Sequence, residues 1–299
     1  MSHSAFLLVV LAGLIHALWN IAAKKAGGDA RFAGFTSLIM MLVWAPVGIY
    51  VGWNVVPGWG WTEWGFIVAS GILHVLYFIT LLRGYRKADL TVVYPLARGF
   101  APLLSSGAAL LFLGETVSFA GAAGIVAVVG GVFLIAGGPA LLRTLPVGSD
   151  QSGYARHQRL HKGIFYGLLT GLFIASYTVL DGYAVKVILI SPVLIDYFGN
   201  FIRVTLLMPV LLRDRQATLA SWRREWKYAL LVGTISPVSY VLVLYAMQNA
   251  PLSHVAPARE VSMLFAALLG GHFLGEGDRV QRITGALCIA AGVFALGNF

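Results

Sequence analysis

Ionisable and aromatic side chains interrupt several long apolar stretches of this sequence at helical spacing. His16, Trp19 and Asn20 stand at positions i, i+3 and i+4, so they share one face of a helix. Tyr177 and Asp181 repeat this pattern in a later apolar stretch. Because an ionisable group in an apolar environment is costly, such residues normally face a water-filled cavity or a partner. We interpret the two stripes as the lining of a small-molecule cavity; the alternative is hydrogen bonding between packed helices.

Two arginines lie at corresponding depths in two other apolar stretches. Arg98 follows Tyr94 by one helical turn, and Arg259 directly precedes Glu260. Each lies about eight residues inside its stretch, roughly 12 Å at about 1.5 Å per residue, which is too deep for easy snorkelling. A guanidinium is the natural partner of a carboxylate, so each arginine is expected to anchor an anionic ligand group or to form a structural ion pair. The candidate pairs are Arg98 with Glu260 and Arg259 with Asp181.

The remaining candidates are single aromatic side chains. Tyr77 follows His74 by one turn, and Tyr240 follows Pro237, which is expected to kink or break its helix. The complete set of predicted substrate-binding residues is His16, Trp19, Asn20, Tyr77, Tyr94, Arg98, Tyr177, Asp181, Tyr240, Arg259 and Glu260. Such a mixture suits a zwitterion, whose carboxylate binds arginine and whose ammonium binds an acid or the face of a ring. Amino acids and related amines are the favoured ligands.

Other polar residues are interpreted as structural. Asp196, Asn200 and Arg203 share one helical face, where Asn200 and Arg203 are expected to contact a neighbouring helix and Asp196 to be hydrated. Glu115 and Glu276 end corresponding stretches and are expected to cap the helix that follows. The alternative role for these two glutamates is proton coupling.

Composition identifies the chain as a membrane protein. Of its 299 residues, 59% are hydrophobic and 11% are charged, and the mean hydropathy is +0.82. A soluble domain usually has about 45–50% apolar and about 25% charged residues. These values exclude disorder, a coiled coil and an ordinary soluble enzyme. With one cysteine, Cys288, no intramolecular disulfide is possible.

Ten stretches are long and apolar enough to cross a bilayer, which needs roughly 20 residues. They are 6–24, 33–52, 64–83, 91–113, 118–136, 163–184, 192–212, 227–247, 252–273 and 281–297. Seventeen of the 21 lysines and arginines lie in the connections after the odd-numbered stretches, whereas only Lys186 lies on the opposite side. By the positive-inside rule that side is cytoplasmic, and both termini are outside. The net charge of +9 therefore mainly reflects the orientation of the chain in the membrane, and nucleic-acid binding is not expected.

The two halves of the chain resemble each other at an offset of 161 residues. The matching segments are Ala97-Arg98-Gly99 with Ala258-Arg259-Glu260, Leu113-Gly114-Glu115 with Leu274-Gly275-Glu276, and Gly131-Val132-Phe133 with Gly292-Val293-Phe294. Residues 1–137 and 163–299 are thus two five-helix repeats, joined by a cytoplasmic linker at 138–162. Because five is odd, the second copy must be inverted in the membrane. The predicted fold is an all-α polytopic membrane protein of ten transmembrane helices in two inverted repeats.

This pattern resembles the EamA-type exporters of the drug/metabolite transporter superfamily. The resemblance rests on His16-Ala17-Leu18-Trp19-Asn20, on Pro95 with Arg98, and on the Leu-Gly-Glu followed nine residues later by Gly in both halves. It covers the chain except the linker, and it implies alternating access around a central cavity where the halves meet. Members of the family carry chemically diverse cargo, so the resemblance does not define a substrate.

The sequence therefore predicts a secondary transporter, most simply an exporter, of small polar or amphiphilic metabolites in a bacterial inner membrane. Coupling to protons is possible through Asp181, Glu260 or His16. No ATP-binding, hydrolase or metal-binding motif is present, so neither a cofactor nor an enzyme activity is predicted. The alternatives are an integral-membrane transferase and an exporter of cationic drugs or phosphorylated metabolites. The expected state is a monomer or a weak homo-oligomer in membrane lipid.

Overall fold

The computed structural model describes residues 1–88, 90–135, 151–269 and 279–298, and in these residues the regular structure is helical. Twelve α-helices and one short 3₁₀ turn, Val56–Gly58, follow one another within these described ranges. The helices are α1 His3–Ala26, α2 Ala30–Val43, α3 Ala45–Gly52, α4 Trp61–Lys87, α5 Leu90–Phe112, α6 Phe119–Ile135, α7 Gln151–Lys186, α8 Pro192–Arg213, α9 Arg215–Asn249, α10 Leu252–Ala258, α11 Val261–Leu269 and α12 Arg279–Asn298.

The described helices include six that are long and apolar enough to cross a membrane. A seventh span results if α2 and α3 are taken together, and α6 and the apolar part of α12 are shorter. Each of the ten predicted stretches coincides with a helix or with a pair of helices wherever it is described. The predicted linker differs: residues 151–162 are helical and continuous with α7, while 138–150 lie outside the described residues.

Two of the predicted stretches consist of two helices each. The axes of α2 and α3 differ by 53°, because Pro46 stands in the first turn of α3 and cannot donate a backbone hydrogen bond. In the ninth stretch, α10 ends at Ala258 and α11 begins at Val261. By contrast α9 continues through Pro237, so a break at that proline is wrong, while a kink there stays a prediction.

The chain forms two compact units, and neither follows the division into sequence halves. Unit 1 contains Leu76–Ser176 and Pro251–Phe299, and unit 2 contains Ser2–Val75 and Tyr177–Ala250. Helices α4 and α7 each contribute residues to both units. Each unit is thus assembled from segments of both halves of the chain.

Within unit 1, α6 and α12 pack through four glycines in a reciprocal arrangement. A Cβ added at Gly131 would lie 2.6 Å from the carbonyl oxygen of Gly285, and one at Gly285 would lie 2.7 Å from that of Gly131. Gly124 and Gly292 face each other in the same way, at 3.0 and 2.6 Å. The helices therefore run antiparallel with their backbones in close contact, which only glycine permits.

Unit 2 contains two similar glycine contacts at corresponding positions of the two halves of the chain. A Cβ at Gly71 of α4 would lie 3.0 Å from the Gly199 carbonyl of α8 and 2.6 Å from Ile202. A Cβ at Gly233 of α9 would lie 2.9 Å from the Thr36 carbonyl of α2 and 2.9 Å from the Ile39 Cβ. In both places a glycine meets two residues that are three positions apart on the facing helix.

Candidate functional site

In unit 2, four helices bring polar and aromatic side chains together. Helix α1 carries His16 and Trp19, α4 carries His74, α7 carries Tyr177 and Asp181, and α9 carries Tyr240. Contacts between these side chains link α4 with α7 and with α9. We call His74, Tyr177, Asp181 and Tyr240 the aspartate cluster.

Asp181 lies at the centre of the polar contacts of this cluster. Its side chain is fully buried, and one carboxylate oxygen accepts a short hydrogen bond from the Tyr240 hydroxyl. The Ser70 hydroxyl lies beside the same carboxylate. The second oxygen, Oδ1, has no hydrogen-bond partner in the part of the chain that the structure describes. No described cationic side chain of unit 2 forms an ion pair with Asp181.

Three rings of the cluster pack against one another. The His74 imidazole stacks on Tyr177 with the ring centroids 4.0 Å apart, and it meets Tyr240 edge to face at 5.5 Å. His74 Nδ1 lies 2.9 Å from the Ser70 carbonyl oxygen. Because a carbonyl can only accept, Nδ1 carries a proton, and the rotation of the imidazole is set by its own helix.

The residues of the predicted stripe on α1 make different kinds of contact: Trp19 contacts another helix, and Asn20 bonds to its own helix. Trp19 Nε1 donates to the Ser239 hydroxyl at 3.2 Å, and the ring stands edge-on to His16 at 4.7 Å. Ser239 precedes Tyr240, so the indole contacts the same part of α9 as the aspartate cluster. The Asn20 amide instead donates to the His16 carbonyl of its own helix at 2.8 Å. Trp19 therefore joins α1 to α9, whereas this bond of Asn20 is local.

In unit 1, Arg98, Arg259 and Glu260 form a second cluster, which we call the arginine cluster. Arg98 Nη2 lies 3.0 Å from Glu260 Oε2 and donates to the Ser262 hydroxyl at 3.0 Å. The Glu260 side chain is 2% exposed. Arg259, which is 7% exposed, lies within electrostatic range of Glu260. The Arg98–Glu260 pair is one of the two expected from sequence, and among the described residues the cluster contains two guanidinium groups and one carboxylate.

The break between α10 and α11 positions Arg259 and Glu260. After Pro257 the hydrogen bonds tighten, and the Glu260, Ser262 and Met263 amides donate to carbonyls three residues earlier. Arg259 caps the C-terminus of α10, where the helix dipole is negative, and Glu260 precedes the positive N-terminus of α11. The equivalent residues of α5, Arg98 and Gly99, lie inside a continuous helix.

Tyrosines of α4 and α5 lie close to Arg98 of the arginine cluster. Tyr85 lies within electrostatic range of Tyr77, Tyr94 and Arg98. Tyr77 and Tyr85 are two turns apart on one face of α4, so spacing alone could have identified Tyr85. Sequence spacing does not identify Ser262, because no periodic signal marks it. Spacing places His74 one turn from Tyr77, but in the structure His74 belongs to unit 2 and Tyr77 to unit 1.

The structural interpretation of α8 is confirmed in part. Asn200 donates to the Ser37 carbonyl of α2 at 2.8 Å, and Arg203 contacts the Met40 sulfur of α2 at 3.8 Å. Asp196 is 8% exposed and lies 3.5 Å from Arg203 Nη2, so the expectation that it is hydrated is wrong. The Asp196 carboxylate can be buried because the Arg203 guanidinium, two turns further along the same face of α8, compensates its charge.

Glu115 caps a helix, although not the one expected. Its two carboxylate oxygens accept from the backbone amides of Leu252 and Ser253, at 2.8 and 2.9 Å, at the start of α10. The following helix, α6, is capped by Ser118, which accepts from the Gly121 amide. Gly114 has a positive φ of 65°, and this turn aims Glu115 at α10. Glu276 lies outside the described residues.

Comparisons with known proteins agree with this architecture. The EamA-like transporter family matches residues 3–137 and again residues 161–297, which indicates an internal repeat. A solved structure titled "Crystal structure of protein" has a TM-score of 0.72 at 16% identity, covering 99% of this chain and 96% of that chain, and this likeness concerns the fold alone. No individually curated protein matches the sequence. The family consists of multi-pass membrane transporters of small molecules, generally without enzyme activity. The chain belongs to the EamA-like transporter family.

Proposed function

We propose that this protein is a secondary transporter of small amine-bearing metabolites, with amino acids favoured, and that Asp181 binds the amine. The observation that carries the proposal is the fully buried carboxylate whose Oδ1 has no partner among the described residues. A buried charge without compensation is unfavourable by several kcal/mol, on the order of the penalty for a single desolvated ion. Asp181 must therefore hold either a proton or a cation.

The surroundings of Asp181 favour a cationic ligand. Tyr177, Tyr240 and His74 present aromatic surface, and a cation over such a ring gains about 0.5–2 kcal/mol. Tyr240 donates to one carboxylate oxygen and leaves the other for the ligand. A substrate ammonium and a proton would then compete for one group, which is the basis of exchange transport.

Arg98 and Arg259 of unit 1 lie together beside Glu260, and guanidinium groups are the natural ligands of carboxylates and phosphates. This pair of guanidinium groups supports a second candidate class of cargo, phosphorylated metabolites. A transferase activity has no comparable support.

The proposal includes the architecture expected from sequence. The reciprocal glycine contacts support ten spans in two inverted five-helix repeats. If a two-fold axis relates each residue of the first repeat to the residue 161 positions later, then Gly124 corresponds to Gly285 and Gly131 to Gly292. A contact of Gly124 with Gly292 therefore requires an equivalent contact of Gly285 with Gly131, and both are present. Such repeats are typical of transporters that work by alternating access. An inner-membrane location with both termini outside, and export as the direction, complete the proposal.

Uptake into proteoliposomes tests the assignment of Asp181. The purified protein is offered labelled amino acids, their decarboxylated amines and a sugar phosphate, with and without a pH gradient. We expect saturable uptake of an amine-bearing compound that Asp181→Asn abolishes and Tyr240→Phe weakens. Asp196→Asn is the matched control, since Asp196 is a buried acid of the same unit that is already paired with Arg203.

The outcomes separate the candidates. Amine uptake that survives Asp181→Asn would overturn the assignment of the amine site. Uptake of the sugar phosphate alone, lost in Arg259→Gln, would favour the second class. Chemical turnover without flux would indicate the transferase.

A further inference from the structure

We propose that the cytoplasmic end of α9 binds the headgroup of an anionic phospholipid, through Trp222, Arg223, Trp226 and Lys227. Helix α9 has 35 residues and is therefore about 52 Å long, whereas a hydrocarbon core is about 30 Å thick. A considerable part of α9 must extend beyond the core. Its apolar stretch, 227–247, occupies the C-terminal part, so the extension is at the N-terminal end.

A repeat match indicates where α9 leaves the bilayer. Glu63-Trp64 near the start of α4 corresponds to Glu225-Trp226 of α9 at an offset of 162, the same offset that relates Gly71 to Gly233. Tryptophan is enriched at membrane interfaces, so Trp64 and Trp226 are expected to lie at opposite ones. The counterpart of Trp61, where α4 begins, is Arg223. Residues 215–222 are thus an extension of roughly 12 Å that α4 lacks.

The exposed face of this part of α9 is apolar and aromatic. Trp222 and Trp226 are one turn apart and are 37% and 41% exposed. Leu219 and Leu230, 50% and 45% exposed, continue the stripe in both directions. The Trp222 ring is held by Phe35 of α2, edge to face at 5.2 Å. A preformed apolar stripe that continues into the membrane span faces lipid, which makes a soluble partner a poor occupant.

Two exposed cations flank the stripe. Arg223 and Lys227 lie one turn apart and belong to none of the ion pairs of the described residues. The Lys227 ammonium lies 5.7 Å from the centroid of the Trp226 ring. Arg224, on another face, is paired with Glu225. Two exposed cations beside two indoles fit a phosphate at the level of the headgroups, where an anionic leaflet attracts basic residues.

Quenching of tryptophan fluorescence tests the proposal. The full-length protein is placed in bilayers that contain either brominated phosphatidylglycerol or brominated phosphatidylcholine at equal density. We expect phosphatidylglycerol to quench more than phosphatidylcholine, and this excess to disappear in Trp222→Phe/Trp226→Phe. Arg223→Gln/Lys227→Gln should weaken the apparent affinity for phosphatidylglycerol at least tenfold. The control Arg213→Gln/Arg215→Gln removes the same charge outside the stripe and should change it less than twofold.

Three results would overturn the proposal. The first is equal quenching of the wild-type protein by the two lipids. This comparison uses only the wild-type protein, so it holds even if a variant fails to fold. The second is an equal loss of affinity in both double variants, which would indicate a general effect of charge. The third is full retention of the excess quenching and of the apparent affinity in Arg223→Gln/Lys227→Gln, which would show that the two cations do not bind the headgroup.

Discussion

The substitution Gly131→Ala should destabilise the protein by separating α6 from α12. The new Cβ would lie 2.6 Å from the Gly285 carbonyl oxygen and 2.9 Å from the backbone nitrogen of Ile289, and neither backbone atom can rotate away. Restoring an ordinary contact requires a local separation of roughly 1 Å. Such overpacking costs about 1–3 kcal/mol, from which the better helix propensity of alanine recovers up to about 1 kcal/mol. We expect a net loss of about 1–2 kcal/mol in the free energy of unfolding.

The neighbouring glycine provides a matched control. Gly130 lies in the same helix, and a Cβ there meets nothing within 4 Å, so Gly130→Ala should be neutral or stabilising. Equilibrium unfolding in mixed micelles measures both variants. A double variant with Gly285→Ala should cost less than the sum of the single ones, because the first separation makes room for the second methyl group. Equal stability of Gly130→Ala and Gly131→Ala would refute the close antiparallel packing.

Two further predictions concern the polar contacts of unit 1. Glu260→Gln should destabilise by about 3–5 kcal/mol, because it removes the buried carboxylate that lies beside both guanidinium groups. Arg98→Gln should cost less, since Arg259 still lies near the carboxylate. Thermal unfolding of both variants in detergent compares them, and the opposite ranking would contradict a three-residue cluster. Glu115→Ala should cost about 1–3 kcal/mol by removing two charge-assisted bonds to the start of α10, and Glu115→Gln about half as much, as seen in hydrogen exchange of the α10 amides.

Helical periodicity predicted single faces well and contacts between helices poorly. The Arg98–Glu260 pair could be proposed because a deep arginine needs an acid, and few acids lie at comparable depth. The hydrogen bond of Tyr240 to Asp181 could not be proposed, since nothing in either helix indicates that the other lies opposite. The role of Glu115 as a cap was expected from its position, yet its partner is a helix in the other half of the chain.

The sequence by itself determined the membrane class, the positions of the apolar stretches, the repeat and the family, because each depends on composition or on spacing along one segment. Only the tertiary structure decided how those segments combine. It groups the helices into two units that each draw on both halves of the chain. It pairs Arg98 with Glu260, whereas Asp181 forms no ion pair with the described cations of unit 2. The physical reason is that the free energy of a buried polar group depends on the neighbours that packing supplies, and those neighbours lie far away in sequence.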